Sequence, residues 1–305
     1  MLQQGTTTRF SGHETFPLRH GWLYKGLHYL NNGNELKNTN TEDAVRAVTY
    51  LGIGKNMVSS LRYWLEMLEL VKFAKDSTEI SKLAKRLVLD NDAWDPYLEK
   101  PGSIWLLHWQ LCKNYKQLSA LRWFFNYSST QSFTKESLLE LLKSDLESLS
   151  DNQQSSIKTI EKDIDCLLNA YINKVGSLKS VSEDSFSSPF IELNLIVNST
   201  NKTSFSTLDK RSNLPIEVFA YALVDFWQTH FSSSKTISYD QILKAQGSPG
   251  KIFRLSQDGL NELLDKLSIF TNKAIDWTDT MGLRQIKCDT IESIKPIDFL
   301  ESYYK

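Results

Sequence analysis

The chain has 305 residues, of which 41% are hydrophobic and 23% charged, and its formal net charge is −1. This is the composition of an ordinary globular chain, long enough for two or three modest domains. It excludes a global basic field, so any nucleic-acid surface must be a local patch. Cys112, Cys166 and Cys288 are far apart and odd in number, which argues against a disulfide framework or a CxxC metal knuckle.

The start, Met1-Leu2-Gln3-Gln4-Gly5, has neither a basic nor an apolar leader region, and the longest apolar run, residues 104–111, is too short to span a bilayer. A cytoplasmic protein with no membrane partner is expected. Residues 10–30 join Ser11-Gly12-His13-Glu14-Thr15-Phe16-Pro17-Leu18-Arg19 to a short amphipathic helix interrupted by Gly21 and Gly26. Asn31-Asn32-Gly33-Asn34 is a turn signal.

Residues 41–89 read as helix, glycine turn, helix and basic hairpin, the order of a winged helix-turn-helix. Glu42 and Asp43 open the first helix, where carboxylates favour the dipole. Gly52-Ile53-Gly54 breaks it. Val58, Leu61, Leu65 and Leu68 mark the buried face of the second helix, which places Lys55, Asn56, Ser59, Ser60, Arg62 and Tyr63 on the side that would meet phosphates and base edges. Lys72 and Lys75 lie on the wing, whose turn is at Asp76-Ser77, and Lys82, Lys85 and Arg86 follow. The alternative is a structural helical hairpin or a homodimer contact, with Glu66, Glu69, Asp76 and Glu79 cancelling part of the charge.

Ser103 is placed to cap a very apolar helix containing Trp105, Leu106, Leu107, Trp109 and Leu111. Phe133 opens a second unit. Thr134 caps a leucine-rich helix, residues 150–154 form a polar loop, and Ile157, Ile160, Ile164, Leu167 and Tyr171 stripe another helix. Lys158 and Lys162 lie off that stripe as further phosphate contacts. A Ser-rich loop, residues 177–188, leads to an alternating strand over residues 189–197. Pro215 starts a C-terminal unit of helix, short strand, helix and final hairpin (residues 275–277 and 283–287). The expected fold is mainly α (α+β), with multiple winged helix-turn-helix-like units and small antiparallel hairpins. The expected segments are 1–100, 101–176 and 177–305.

Seven strings occur in order: Ser11-Gly12-His13-Glu14-Thr15-Phe16-Pro17-Leu18-Arg19, Gly52-Ile53-Gly54-Lys55-Asn56-Met57-Val58, Asp95-Pro96-Tyr97-Leu98-Glu99, Trp105-Leu106-Leu107-His108-Trp109, Lys162-Asp163-Ile164-Asp165-Cys166, Gly247-Ser248-Pro249-Gly250 and Gly282-Leu283-Arg284-Gln285. On these the chain resembles the SspB family, the DNA-nicking component of bacterial DNA phosphorothioate modification and phage-defence systems, from Phe10 to Lys287. The resemblance implies DNA binding, nicking assisted by a divalent metal (Mg or Mn), and two partners: a cysteine desulfurase and ATP-dependent sulfur-insertion proteins. It does not designate catalytic positions.

Phosphodiester cleavage needs an activated oxygen nucleophile and charge stabilisation at phosphorus. His13 as base, Glu14 as metal ligand and Arg19 as phosphate clamp would supply these. The competing reading is a structural loop in which His13 and Glu14 bond to neighbours. Asp163 and Asp165, two apart on a helix, do not share a face. His108, among tryptophans, reads as a hydrogen-bonded core residue. Gly247-Ser248-Pro249-Gly250-Lys251 offers backbone N–H groups to a phosphate but lacks P-loop spacing, and reads better as a turn. No nucleotide cofactor is expected. A non-catalytic DNA-binding module that recruits modification enzymes, or regulates a defence operon, is the alternative function.

Overall fold

Local caps decide where many of the elements begin. The structure, a computed structural model, describes residues 2, 5–36, 42–75, 77–148, 155–173, 187–199, 202–280 and 282–305. Of the expected loops and turns, residues 150–154 and 177–186 and the turn residue Asp76 lie outside these. Strand β1 (Thr7–Thr8) leads to α1 (Trp22–Asn31), α2 (Glu42–Leu51), α3 (Lys55–Met67) and the hairpin β2 (Val71–Phe73) and β3 (Thr78–Ile80). The glycine break is present: Gly52 is left-handed at φ 66° and its N–H reaches Val48 O. Gly26 does not interrupt α1. It lies inside the helix, where a Cβ would come within 3.0 Å of Leu61 Cδ1, so the missing side chain lets α1 approach α3. Helix α4 (Lys82–Ala84) is capped by Ser81 and runs on through a π-helical turn, Lys85–Leu89.

Helix α5 (Pro101–Lys113) is apolar on every side and buried from Gly102 to Cys112. Asp95 and Pro101 start it, and Ser103 does not. The Asp95 carboxylate accepts the N–H groups of Glu99 and Lys100, and Ser103 Oγ donates to the same carboxylate at 2.5 Å. Strand β4 (Gln117–Leu118) pairs with β1 in parallel. Then come α6 (Ala120–Asn126), β5 (Ser132–Phe133), α7 (Lys135–Leu146) and α8 (Ile157–Tyr171), the helices capped by Ser119, Thr134 and Ser156.

The strand expected over residues 189–197 is mostly a 3-10 helix, Pro189–Leu193. Ser188 Oγ accepts the Phe190 N–H, Pro189 takes the first helical position, and left-handed Asn194 (φ 51°) ends it. Pro189, Phe190, Leu193, Leu195 and Ile196 are the buried residues, so burial does not follow the period of two. Only β6 (Val197–Asn198) is extended, followed by β7 (Ser204–Phe205). The remainder is α9 (Ile216–Phe231), β8 (Thr236–Ser238), α10 (Tyr239–Lys244), α11 (Pro249–Ile252), α12 (Gln257–Phe270), β9 (Asp276–Thr280), β10 (Leu283–Lys287) and α13 (Pro296–Tyr304).

One topology recurs. In α6 to β7 the strand before the helix pair joins the last strand of the hairpin, in the order β5-β7-β6. In α9 to β10 the order is β8-β10-β9, the same arrangement. In α1 to β3 the helix pair and hairpin are present, with two strands among the described residues. The β5–β7 pairing crosses residue 176, so the hairpin after that point belongs with the helices before it. A single buried cluster runs from Phe10 to Leu300, with α5 at its centre. The architecture is mainly helical with small antiparallel sheets and one short parallel pair.

Candidate nucleic-acid interface

Helix α3 carries its expected apolar stripe inward: Val58, Leu61, Leu65 and Leu68 are buried. Lys55 and Asn56 are exposed on its first turn and Ser59 is half-buried. Lys72 and Lys75 are exposed on the β2–β3 hairpin, with Lys72 opposite Glu79 in the register. Lys158 and Lys162 are exposed one turn apart on α8. Lys82 and Lys85 are also exposed, whereas Arg86 is engaged by Asp90 at 3.6 Å and Asp92 at 3.4 Å.

Three residues assigned to this surface are turned away from it. Ser60 (0% exposed) donates to Phe16 O at 3.1 Å, and Trp64 Nε1 donates to the same carbonyl at 3.0 Å. Tyr63 (3% exposed) lies under Gly12 and edge-on to the His13 ring. Arg62 is half-buried. Its Nη1 donates to Leu36 O at 2.6 Å and its guanidinium lies 3.9 Å over the Phe73 ring, so it ties α3 to the hairpin. Burial holds that guanidinium below the ordinary arginine range. For Ser60 and Tyr63 the cause is one loop, residues 11–19, which covers that flank of α3.

That loop is strained and pinned. Ser11, Glu14 and Thr15 all have positive φ (72°, 48° and 67°), and Gly12 sits at φ 94° with its Cα against Tyr63. Buried Asp163 on α8 is the pin. Its Oδ1 accepts from His13 Nε2 at 2.8 Å and from Ser11 N at 3.3 Å, and its Oδ2 accepts from Ala120 N at 2.5 Å. His13 Nδ1 accepts from Thr15 N at 3.0 Å, which makes Nε2 the ring donor. His13 is 1% exposed and both of its ring nitrogens are hydrogen-bonded within the protein, the arrangement of the structural-loop reading.

Glu14 alone of the dipeptide reaches the surface. Arg19 is half-buried, its guanidinium 5.6 Å from the Phe16 ring and 5.8 Å from the Trp22 ring. Among the described residues no three His, Cys, Asp or Glu side chains come together as a metal-ligating group. Glu14 thus belongs to no preformed three-ligand protein site, and an ion held there would take most of its ligands from water or substrate. Asp165 faces the other way from Asp163 and pairs with Lys135 at 2.7 Å, as their spacing requires.

A second concentration of charge escapes sequence reasoning. A cleft of about 340 Å³ between the end of α5 and α9 holds Lys113 between Glu69 (3.3 Å) and Asp225 (3.2 Å), with His230 on its wall. Burial opposes the Lys113 charge, but Tyr221, Asp225 and Glu69 outweigh it and hold the ammonium above its usual range. Burial and Lys116 hold His230 below its usual range. The one local signal is Glu69, left-handed at φ 55° where α3 ends.

Residues 10–304 match the family model described as "Protein of unknown function (DUF4007)". The chain belongs to this family. Two solved structures are similar over nearly its whole length. A magnesium ion-bound SspB crystal structure has a TM-score of 0.82 at 26% identity, covering 100% of this chain and 90% of that one. A second SspB crystal structure has a TM-score of 0.77 at 27% identity, covering 98% and 89%. The SspB resemblance of the seven strings thus extends to the whole fold. No curated protein matches the sequence. No helix among the described residues is long and apolar enough to cross a membrane.

Proposed function

We propose that this protein binds duplex DNA through winged helix-turn-helix units and nicks one strand for sulfur insertion in a bacterial anti-phage defence system. The observation that carries the binding reading is the helix, turn, helix and hairpin of residues 42–80, which exposes Lys55 and Asn56 on the first turn of α3 and Lys72 and Lys75 on the hairpin. These residue types suit phosphates and base edges. Nicking rests on the likeness to SspB, which also suggests a cysteine desulfurase and ATP-dependent sulfur-insertion proteins as partners in the cytoplasm. Of the proposed cleavage residues Glu14 is exposed and Arg19 half-buried, and Glu14 is the one the reading relies on.

Relaxation of supercoiled plasmid by the purified full chain, with Mg²⁺ or Mn²⁺ and again with a chelator, tests this reading. Open-circular product that depends on the ion and falls at least about ten-fold in Glu14→Gln, with DNA binding retained, supports nicking and the role of Glu14. Binding without relaxation leaves the alternative, a non-catalytic module that recruits modification enzymes or regulates a defence operon. A gel shift unchanged by Lys55→Ala and Asn56→Ala removes α3 from the interface.

A further inference from the structure

The turn Gly247-Ser248-Pro249-Gly250 folds tightly: Gly247 is left-handed at φ 77°, Ser248 caps α11, and a Cβ on Gly250 would lie 2.5 Å from Leu243 Cα. The turn delivers Lys251 into a pocket of about 220 Å³ at the junction of the second and third helix–hairpin units. Lys251, Arg254 and Lys244 contribute positive charge to its lining, Ser129 and Gln131 contribute polar groups, and the lining contains no Asp or Glu.

Arg254 is 3% exposed and left-handed at φ 54°. Its guanidinium donates to Thr130 O (2.7 Å), Ser206 O (2.6 Å), Ser128 O (3.3 Å) and Ser206 Oγ (3.1 Å), all of them uncharged oxygens. Arg211 behind it is also buried and donates to Phe253 O and Thr207 O. No ion pair is formed by Lys251, Arg254 or Arg211 among the described residues, whereas Lys244 at the rim pairs with Asp240 at 3.1 Å. Burial and the neighbouring Arg254 both hold the Lys251 ammonium below the ordinary lysine range, and burial and Arg211 do the same to Arg254. Asp209 lies near Arg211, but Lys251 and Arg254 have no neighbouring carboxylate among the causes of their shifts, and two such cations crowded in a partly dry pocket are costly unless an anion joins them.

We propose that the pocket between α10, α11 and the Ser128–Gln131 segment is a phosphoryl-anion site, in which Lys251 is the direct ligand and Arg254 the fixed charge behind it. Leu208, Leu243 and Leu255 give the pocket an apolar side that suits the ester portion of a phosphate. The phosphate comes from a nucleic-acid backbone or is free in solution. The site lies outside α3 and the β2–β3 hairpin, and it does not depend on their binding DNA.

Thermal unfolding of the full chain in inorganic phosphate against chloride at equal ionic strength reads the site directly. Phosphate raises the wild-type midpoint, and Lys251→Met, which removes a repulsion with Arg254, starts no lower and loses the phosphate shift. Lys244→Met, already paired and exposed, keeps it. A single-stranded oligonucleotide then separates the sources. About ten-fold weaker binding by Lys251→Met, the loss of one charge-assisted contact, assigns the site to backbone phosphate. A phosphate shift with oligonucleotide affinity unchanged assigns it to free phosphate. The proposal is overturned if Lys251→Met alters neither the phosphate response nor oligonucleotide binding.

Discussion

Asp163 does more for this molecule than its neighbours in sequence suggest. A carboxylate with 0% exposure accepts from His13, Ser11 and Ala120, so one side chain on α8 fixes the N-terminal loop and the start of α6. Buried donors that lose an acceptor keep their full desolvation cost. Asp163→Ala strands two of them, His13 Nε2 and Ala120 N, besides freeing the Ser11 N–H, and is expected to destabilise by about 3 kcal/mol or more, whereas His13→Ala leaves the two backbone bonds intact and costs less. Urea unfolding midpoints give the order. A loss for Asp163→Ala smaller than that for His13→Ala would mean the carboxylate is not the pin. The sequence shows the pieces, Ser11 to Arg19 and Lys162 to Cys166, but their meeting spans 150 residues and leaves no periodic trace.

At the level of elements, what the sequence discloses depends on how local the cause is. The α3 stripe, the glycine break and the final hairpin arise from residues within a few positions of one another, and all are where the pattern puts them. Ser60 and Tyr63 are polar by type and off the stripe, yet a distant loop covers them. The segment after Ser188 alternates like a strand, but a cap, a proline and a left-handed asparagine impose a 3-10 turn. The apolar α5 shows its burial in its composition, and His108 on it bonds as its setting suggests. Its Nδ1 meets Tyr171 Oη of α8 at 2.6 Å and its Nε2 meets Ile252 O of α11 at 2.9 Å. Complete burial pushes the imidazole from its ordinary value near 6.5 down to about 3. The unfolded chain therefore binds this proton below about pH 6.5 while the folded one does not. The contribution to stability is intact above that pH and falls by about 1.4 kcal/mol per unit as pH drops toward 3. His108→Gln is expected to be less stable at neutral pH but to lose less between pH 6.5 and 5, by one proton's worth of slope. Parallel stability curves for the two proteins would show that His108 does not titrate in this way.

The second and third helix–hairpin units share a topology and the first shares their helix pair and hairpin, but the three differ in charge pattern, which bears on how each could meet a polyanion. In the third unit α12 stands where α3 and α8 stand in the others, yet it exposes Asp258, Glu262 and Asp265 together with Ile269 at 79%. Even with Glu262 paired to Lys210, that face offers phosphates less than the lysine-bearing faces of the other two units. The first unit exposes Lys55, Lys72 and Lys75, and the second exposes Lys158 and Lys162. With a net charge of −1 there is no net long-range pull on DNA, so the proposed binding would have to come from phosphates met at close range by these groups. Each phosphate neutralised contributes about 0.9 to the slope of log K against log salt on duplex DNA. Replacing Lys72 and Lys75 by alanine is therefore expected to lower the slope by about 2, and replacing Lys158 and Lys162 to lower it by a similar amount if the second unit also engages the duplex. Lys266→Ala on acidic α12 leaves it unchanged. Filter-binding titrations across a salt series distinguish a one-unit from a two-unit footprint. A slope that none of these substitutions moves would place the DNA surface elsewhere on the molecule.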